Sequence, residues 1–404
     1  MKNEKSTQNI LRDEVLDSRI IDDIKNCPNG KYECNDLLIT GVTGFLGAHT
    51  LAELLETTQN RHIYCLIRGE DLDRVRKTLI DYKLWKDEFV SRFTVISGNL
   101  AKENLGLVSS AYNELVLNIS QILHIAADTN HVKAYHHLRG SNVNGTIELI
   151  KLASKERRKE IIYTSTLSVL NEQRENDEDA ELQNPELIHE GYIQTKYVSE
   201  KLLLQAKEAG LKVDIIRVGR VASSTATGMW CKTDGYYMVF KSFYKLNMVP
   251  DIRNRPLLFM PVDYMSICIS KVISTDISPN GCILHLHNSM VPFSFKDFYK
   301  ALQRIKPDCR WVTHEEWFDA LLNVDDPELK MCRYIAELYF PVRLEDNKQL
   351  ENHEDAKLIM PISTEKTMAI FKKHGIPILT EFKADYIEKI FACIEQENEK
   401  LDQL

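Results

Sequence analysis

The chain has 404 residues, of which 44% are hydrophobic and 27% charged, and its formal net charge is −8. Such a composition is that of an ordinary globular protein with room for two domains, and the absence of a basic block argues against nucleic acid as a partner. No run approaches the ~18 apolar residues of a membrane span, and the N-terminus lacks the apolar core of a signal peptide, so we expect a cytoplasmic protein without a membrane segment. Nine scattered cysteines without a Cys-x-x-Cys pair predict reduced thiols and no metal site.

Residues 1–36 are polar and charged, with a weak helical pattern, and we expect a linker or docking segment there. From 37 to about 225, strands alternate with helices. This alternation predicts an α/β fold, a doubly wound Rossmann-type parallel sheet covered by helices on both faces. Residues 226–404 are expected to form a smaller, mostly helical substrate-binding domain, with 260–273 returning to the sheet edge. The strands are predicted at 37–40, 62–67, 93–97, 121–126, 161–165 and 213–218.

The first predicted strand leads into a glycine-rich turn, and apolar residues at helical spacing follow from Ala48 to Leu55. Backbone N–H groups and the positive end of a helix dipole would both point at a ligand over this turn. Gly41 permits the turn, Gly44 lets a pyrophosphate approach the backbone, and Gly47 lets helix and strand pack closely. The pattern predicts a dinucleotide site, with a chance glycine-rich turn as the alternative. The predicted contacts are Gly41, Thr43, Gly44, Phe45, Leu46 and Gly47.

The second strand ends at Arg68, where an acidic residue would bind the ribose 2′-hydroxyl of NAD. A guanidinium offers planar, bidentate donors for a 2′-phosphate. The predicted cofactor is therefore NADPH. Arg74 and Arg76 lie on the next predicted helix; one of them could reach the same phosphate, and a solvated helix face explains at least one.

The next two strands end in polar or small residues. Asn99 and Leu100 follow the third strand and are candidates for contact with the adenine ring, a plain strand-to-loop turn being the alternative. Ala126 and Ala127 follow the fourth strand, where close approach to a cofactor requires small residues. Asn142, predicted on a helix, either orients groups of the site or satisfies buried backbone.

The candidate catalytic residues are Thr166, Tyr192 and Lys196. The strand at 161–165 delivers Thr166 to its carboxyl end, and an acidic segment, 171–190, is predicted as a solvated loop. Tyr192 and Lys196, four residues apart on a helix, share one face. An ammonium beside a phenol lowers the phenol's pKa from its usual value of about 10, and the same ammonium can hold the nicotinamide ribose. Tyr192 and Lys196 are therefore predicted as cofactor contacts as well.

The order of these motifs resembles that of the extended short-chain dehydrogenase/reductases. The chain also contains Leu84-Trp85, Asn99-Leu100, Asn104 to Leu107 and Pro261-Val-Asp263. These features are similar to those of the thioester reductase family, the terminal reductase domains of nonribosomal peptide and polyketide synthetases, with relatives among carboxylic acid and aminoadipate reductases. The similarity runs from about residue 12 to near the C-terminus. Asn99 stands where the family usually has aspartate. Val218 stands where proline is common, so only a backbone contact to the cofactor is expected from it. The residues that carry the resemblance are TGVTGFLG at 40–47, Arg68, Leu84-Trp85, Asn99-Leu100, Asn104 to Leu107, STLSV at 165–169, Tyr192-x-x-x-Lys196 and Pro261-Val-Asp263.

The resemblance implies NADPH-dependent reduction of an acyl or peptidyl thioester, carried on the phosphopantetheine arm of a carrier protein domain, to an aldehyde and, with a second hydride, an alcohol. Thr166 and Tyr192 would hold the thioester carbonyl oxygen. The resemblance also implies a monomeric domain of a larger synthetase, with the carrier docking near residues 1–36. Part of the aromatic stretch from Trp230 to Tyr244 would line the acyl channel, although the same residues fit a packed core.

Three alternatives remain open. A reductase of free acyl-CoA, or one of the carboxylic acid reductase type, would differ in substrate only. A nucleotide-sugar epimerase or dehydratase that retains NAD would share the scaffold, and Arg68 argues against it. A non-enzymatic NADP-binding sensor would not need Thr166, Tyr192 and Lys196 together.

Overall fold

The computed structural model describes residues 10–30, 35–58, 61–170, 176–182, 185–252, 256–288, 291–340 and 362–401. The strands are β1 (Asp36–Thr40), β2 (Ile63–Ile67), β3 (Phe93–Ser97), β4 (Ile119–His124), β5 (Glu160–Thr166), β6 (Val213–Val218), β7 (Arg220–Ala222), β8 (Met248–Pro250), β9 (Phe259–Pro261), β10 (Ile283–Leu286) and β11 (Arg310–Val312). The α-helices are α1 (Ser18–Asn26), α2 (Phe45–Thr57), α3 (Arg74–Asp81), α4 (Ser109–Asn118), α5 (Tyr135–Arg139), α6 (Gly145–Ala153), α7 (Gly191–Glu208), α8 (Gly235–Leu246), α9 (Val262–Ser274), α10 (Phe295–Ile305), α11 (His314–Asn323), α12 (Pro327–Tyr339), α13 (Glu365–His374) and α14 (Tyr386–Leu401).

Seven strands form one parallel sheet in the order β10-β6-β5-β4-β1-β2-β3. All residues of β2 and all but the first of β1 are buried, as strands covered on both faces must be. From β1 the chain moves outward through β2 and β3, then crosses back to β4 on the other side of β1. This reversal is the point at which ligands bind in open α/β sheets. The predicted Rossmann-type α/β fold is confirmed.

The described residues pack into two compact units. The first comprises Met1–Gly219, Ser266–Leu286 and Ser363–Pro377, and the second comprises Arg220–Met265, His287–Ile362 and Ile378–Leu404. The first continuous segment of this unit ends at Gly219, a few residues before the predicted boundary at 225. Within it, Ser266 and Ser270 of α9 lie 3.2 and 3.0 Å from the hydroxyls of Thr50 and Thr57 on α2.

The described part of the N-terminal segment packs on the first unit. The Asp13 carboxylate accepts from Arg139 Nη2 at 2.7 Å and from the Tyr135 hydroxyl at 2.8 Å, both on α5. The Leu16 N–H donates to the Gln205 side chain on α7 at 3.0 Å. Hydrogen bonds therefore connect residues 10–30 to α5 and α7, and α7 carries the candidate residues Tyr192 and Lys196.

Part of the acidic segment is buried, so the prediction of a solvated loop is wrong there. Glu178 is only 1% exposed. Its carboxylate accepts from the Thr367 N–H at 2.8 Å and from the Thr367 hydroxyl at 2.7 Å. Thr367 lies in the first turn of α13, whose N–H groups lack intrahelical partners, and the carboxylate satisfies one of them. Residues 171–175 and 183–184 of that segment lie outside the described residues.

The second unit is built around aromatic side chains. Trp230, Phe240 and Phe243 are buried, and Phe240 stacks on Phe298 with ring centroids 4.1 Å apart. The aromatic stretch from Trp230 to Tyr244 thus forms core, as the simpler interpretation of the sequence required. Among the described helices, none combines the length and apolar character needed to cross a membrane.

Candidate active site

The turn between β1 and α2 has the geometry that a phosphate site requires. Gly41 has φ +84°, in the left-handed region that glycine adopts without strain. A Cβ on Gly47 would lie 2.1 Å from the Gly41 carbonyl oxygen, so only glycine lets helix and strand approach this closely. Gly44 occupies the N-cap position of α2 and supplies no capping side chain. The first N–H groups of α2 therefore fit an anionic ligand, with Thr43, Phe45 and Leu46 half-buried around them.

The loop after β2 places Arg68 at the same sheet edge. Arg68 is exposed, and the Ser97 hydroxyl at the end of β3 donates to the carbonyl oxygen of the adjacent Gly69 at 2.8 Å. The Arg76 guanidinium lies 5.2 Å from the centre of the Trp85 ring, and the residue is exposed, so the interpretation as a solvated helix face still fits it. Arg74 is exposed at the first position of α3 and stays a candidate for the phosphate contact.

The other predicted cofactor contacts also follow carboxyl ends of strands. Asn99 Oδ1 accepts from the Ala101 N–H at 3.0 Å, which makes the side chain part of the strand-to-loop turn that the sequence offered as an alternative. Leu100 lies beside Gly145, whose added Cβ would be 2.9 Å from the Leu100 Cβ. Val218 is the last residue of β6.

A buried histidine that the sequence interpretation passed over shapes the loop carrying Ala126 and Ala127. His124 Nδ1 lies 2.8 Å from the hydroxyl of Thr40, and the same hydroxyl accepts from the Ala126 N–H at 3.2 Å. Burial, together with the charge of Lys196, lowers the pKa of His124 to about 3. A neutral imidazole thus joins the ends of β1 and β4. Its signal in the sequence was a histidine between the apolar residues of the strand and the small residues of the loop.

Lys196 is buried beneath the end of β5. Its Nζ donates to the Thr164 carbonyl oxygen at 2.7 Å and lies 4.5 Å from the centre of the Tyr163 ring. Burial lowers the pKa of Lys196 to about 7, against the opposing charge of Glu200. The ammonium is therefore poised to gain or lose its proton near neutral pH.

The same arrangement brings the other two candidate catalytic residues to this point. Thr166 is the last residue of β5, two positions after the carbonyl that Lys196 contacts, and its Oγ1 accepts from the Ser168 N–H at 3.2 Å. Tyr192 is half-buried in the first turn of α7, one helical turn before Lys196. Two hydroxyl groups and one ammonium thus lie at the carboxyl end of the sheet, beyond the glycine turn.

Asn142 lies in a π-helical turn, Gly140–Asn144, a feature often found at functional sites. Its Oδ1 accepts from the Asp128 N–H at 2.8 Å, and its Nδ2 donates to the Asp128 carbonyl oxygen at 3.1 Å and to the Thr195 hydroxyl at 2.9 Å. Asn142 therefore satisfies buried backbone and also ties the loop after β4 to α7, between Tyr192 and Lys196.

Two further residues near Tyr192 were not singled out from the sequence. The His131 ring lies against the Tyr192 ring, and His131 Nδ1 is 2.9 Å from a Glu190 carboxylate oxygen. Neither residue belongs to a recognisable spacing pattern, since they are 59 positions apart. Within the described ranges, no three histidine, cysteine, aspartate or glutamate side chains are grouped as a metal ion would require.

Comparison with known proteins adds a family match and several relatives. The profile of the family NAD_binding_4, described as male sterility protein, matches residues 39–269. The glycine betaine reductase of Emericella nidulans is 36% identical over 275 residues, 64% of this chain and 21% of that protein. One polypeptide of the linear gramicidin synthase of Brevibacillus parabrevis is 33% identical over 293 residues, 70% of this chain and 6% of that protein. The chain thus spans about a fifth or less of the length of these curated relatives.

A solved structure matches over a much larger share of its own length. The terminal R domain from the myxalamid PKS-NRPS biosynthetic pathway is 28% identical, with a TM-score of 0.81. The match covers 97% of this chain and 98% of that domain, so the likeness extends well beyond the nucleotide-binding turn.

Proposed function

This chain belongs to the NAD-binding family described as male sterility protein, and on that premise we propose that it reduces a carrier-bound acyl or peptidyl thioester to an aldehyde, with NADPH as the hydride donor. The observation that carries the proposal is the likeness to the myxalamid R domain over 97% of the chain. Together with Thr166, Tyr192 and Lys196, this likeness supports a reductase rather than a nucleotide-binding sensor.

The residues of the first unit fit a nicotinamide dinucleotide. The glycine turn and the start of α2 would hold the pyrophosphate, because a Cβ at Gly47 has no room and no side chain caps the helix. Lys196 would hold the nicotinamide ribose. Arg68, exposed at the end of β2, would bind a 2′-phosphate, which favours NADPH over NADH. When bound, the cofactor supplies a hydride to the thioester carbon.

Side chains of this protein would stabilise the negative charge that develops on the carbonyl oxygen and supply the proton that neutralises it. Reduction of the thioester carbon places negative charge on its carbonyl oxygen, and the Thr166 and Tyr192 hydroxyls would donate hydrogen bonds to that oxygen. Such donors accelerate the reaction because they bind the transition state better than the ground state. Tyr192, or a water molecule, then supplies the proton, and the Lys196 ammonium stabilises the resulting phenolate. Collapse of the hemithioacetal breaks the carbon–sulfur bond and releases an aldehyde and a free thiol.

The proposed substrate arrives on the phosphopantetheine arm of a carrier protein domain. Residues 10–30 are tied to α5 and α7 through Asp13 and Leu16. A carrier that docks beside this segment would be held at a constant position relative to those helices.

Turnover of matched thioesters tests the proposal. One acyl group is presented as a carrier-bound thioester, a pantetheine thioester and a coenzyme A thioester, while NADPH consumption and product mass are measured. We expect one aldehyde for each NADPH consumed, with the carrier-bound form used at the lowest concentration. Preference for the coenzyme A form would assign a free acyl-CoA reductase. Purified protein that retains NAD and reduces none of the three would point to an epimerase or dehydratase.

A further inference from the structure

The loop between β4 and α5 carries a histidine that lies directly against the candidate catalytic tyrosine. The ring centroids of His131 and Tyr192 are 5.3 Å apart, with an interplanar angle of 66°. This is the edge-to-face arrangement that aromatic pairs prefer. His131 Nδ1 lies 2.9 Å from Oε2 of Glu190, which occupies the N-cap position of α7. Glu190 thus orients the imidazole that contacts the phenol two residues later.

The loop that carries His131 is itself held at both ends. Both backbone polar groups of Asp128 bond to Asn142, and the Asp128 carboxylate pairs with Lys133 Nζ at 2.8 Å. At the other end, a Cβ on Gly191 would lie 2.4 Å from the Lys133 carbonyl oxygen and 2.5 Å from the Tyr135 nitrogen. The start of α7 therefore touches the loop backbone directly, and these contacts hold the backbone of the loop that carries His131 close to Tyr192.

The His131–Glu190 pair contributes little to the fold. The two side chains are 51% and 31% exposed, and ion pairs with such exposure add at most about 1 kcal/mol to stability. The contact of His131 with Tyr192 is different in kind. The Tyr192 hydroxyl, as a hydrogen-bond donor to a developing oxyanion, must be held in a narrow range of position and angle. A displacement of about 1 Å can lower turnover by roughly a hundredfold.

We propose that His131, oriented by Glu190, is a positioning residue that holds the Tyr192 hydroxyl toward the reacting carbonyl. The inference rests on the proposed thioester reduction and adds to it a residue outside the Thr166–Tyr192–Lys196 set. The effect on Tyr192 depends on the contact between the two rings. A phenyl ring at position 131 should therefore position Tyr192 nearly as well as imidazole does, whereas a methyl group should not.

Three variants test this role with the full chain. His131→Ala should lower kcat about tenfold and leave unchanged the KM for the thioester, the Kd for NADPH and the melting temperature. His131→Phe should recover most of the lost kcat. His136→Ala, which removes an exposed histidine from α5, is the matched control and should behave as wild type. Wild-type kcat in His131→Ala, or equal losses in the Ala and Phe variants, would overturn the inference.

A second readout does not depend on turnover. In protein labelled on the histidine and tyrosine rings, we expect a nuclear Overhauser effect between the rings of His131 and Tyr192, assigned by its loss in Tyr192→Leu. Absence of this effect in the wild-type chain would overturn the inference even if thioesters are reduced. Presence of the effect in a chain that reduces no thioester would refute the proposed function, and with it the role of His131.

Discussion

Two glycines of the β1–α2 turn should respond to alanine in opposite ways. A Cβ at Gly47 would lie 2.1 Å from the Gly41 carbonyl oxygen, so strand and helix backbone must move apart by more than an ångström. Overpacking of this kind destabilises by about 1–3 kcal/mol, and contact with backbone puts Gly47→Ala at the upper end. At Gly44 the nearest atom to a Cβ is 3.3 Å away and φ is −94°, which any residue adopts. Gly44→Ala therefore needs a backbone shift of only a few tenths of an ångström and should lose little stability.

The expected cofactor binding separates the two variants further. Gly44 is exposed where we expect the pyrophosphate to approach the backbone, so its methyl group should weaken NADPH binding about tenfold, or ~1.4 kcal/mol. Thermal melts and NADPH titrations of both variants are the assay, with Gly140→Ala as control because its Cβ would meet only Ala101 at 3.7 Å. If Gly44→Ala bound NADPH normally, the assignment of this turn to the pyrophosphate would be refuted. If Gly47→Ala melted as wild type, the close packing of β1 against α2 would be refuted instead.

Three more predictions concern charge. Arg68→Asp should raise the Kd for NADPH roughly ten- to a hundredfold and barely change that for NADH; equal losses for both would make Arg68 structural. Because burial lowers the pKa of Lys196 to about 7, its ammonium loses its proton as the pH rises through that value. NADPH affinity measured by calorimetry should then fall between about pH 6 and 9, and binding should be accompanied by proton uptake by the protein. Lys196→Ala should bind NADPH weakly at every pH, without this decline. A wild-type affinity that rises with pH would contradict the prediction. Burial holds the pKa of His124 in the folded chain at about 3, whereas the same imidazole in the unfolded chain binds a proton below about pH 6.5. The free energy of unfolding should therefore fall as the pH drops below about 6.5, by roughly 2–3 kcal/mol at about pH 4.5. The free energy of unfolding of His124→Asn should change less steeply with pH over this range, and an unchanged slope would show that His124 is not buried neutral.

The sheet was predictable because its strands other than β3 are largely buried on both faces and read as short apolar runs between glycine-rich or polar turns. β10, which pairs in parallel with β6, lies in the alternating segment CILHLHN. The predicted bounds of β4 were the least accurate of the six predicted strands, because α4 ends at Asn118 and β4 begins at Ile119 without any turn residue between them. Local patterns therefore fail where one element runs directly into the next.

Several contacts of the fold and of the site could not be predicted, because they join residues far apart in the chain. Glu178 lies in a segment whose charge indicates solvent, and it is buried only because Thr367, 189 positions later, offers it two donors. The contact of His131 with Glu190 likewise depends on how the loop after β4 meets α7. Charge pattern indicates exposure on average, and two tertiary hydrogen bonds reverse it at Glu178.

The rate of aldehyde formation in Tyr192→Phe, compared with wild type in single-turnover reduction of a carrier-bound thioester by NADPH, tests the proposed chemistry at its centre. Loss of the hydroxyl removes one donor to the developing oxyanion and keeps the ring, so we expect the rate to fall about 10²–10³-fold. The Kd for NADPH should hold, because we expect Lys196 to make the ribose contact. A Phe variant that folds normally and forms aldehyde at the wild-type rate would contradict the assignment of Thr166, Tyr192 and Lys196, and would leave nucleotide binding alone.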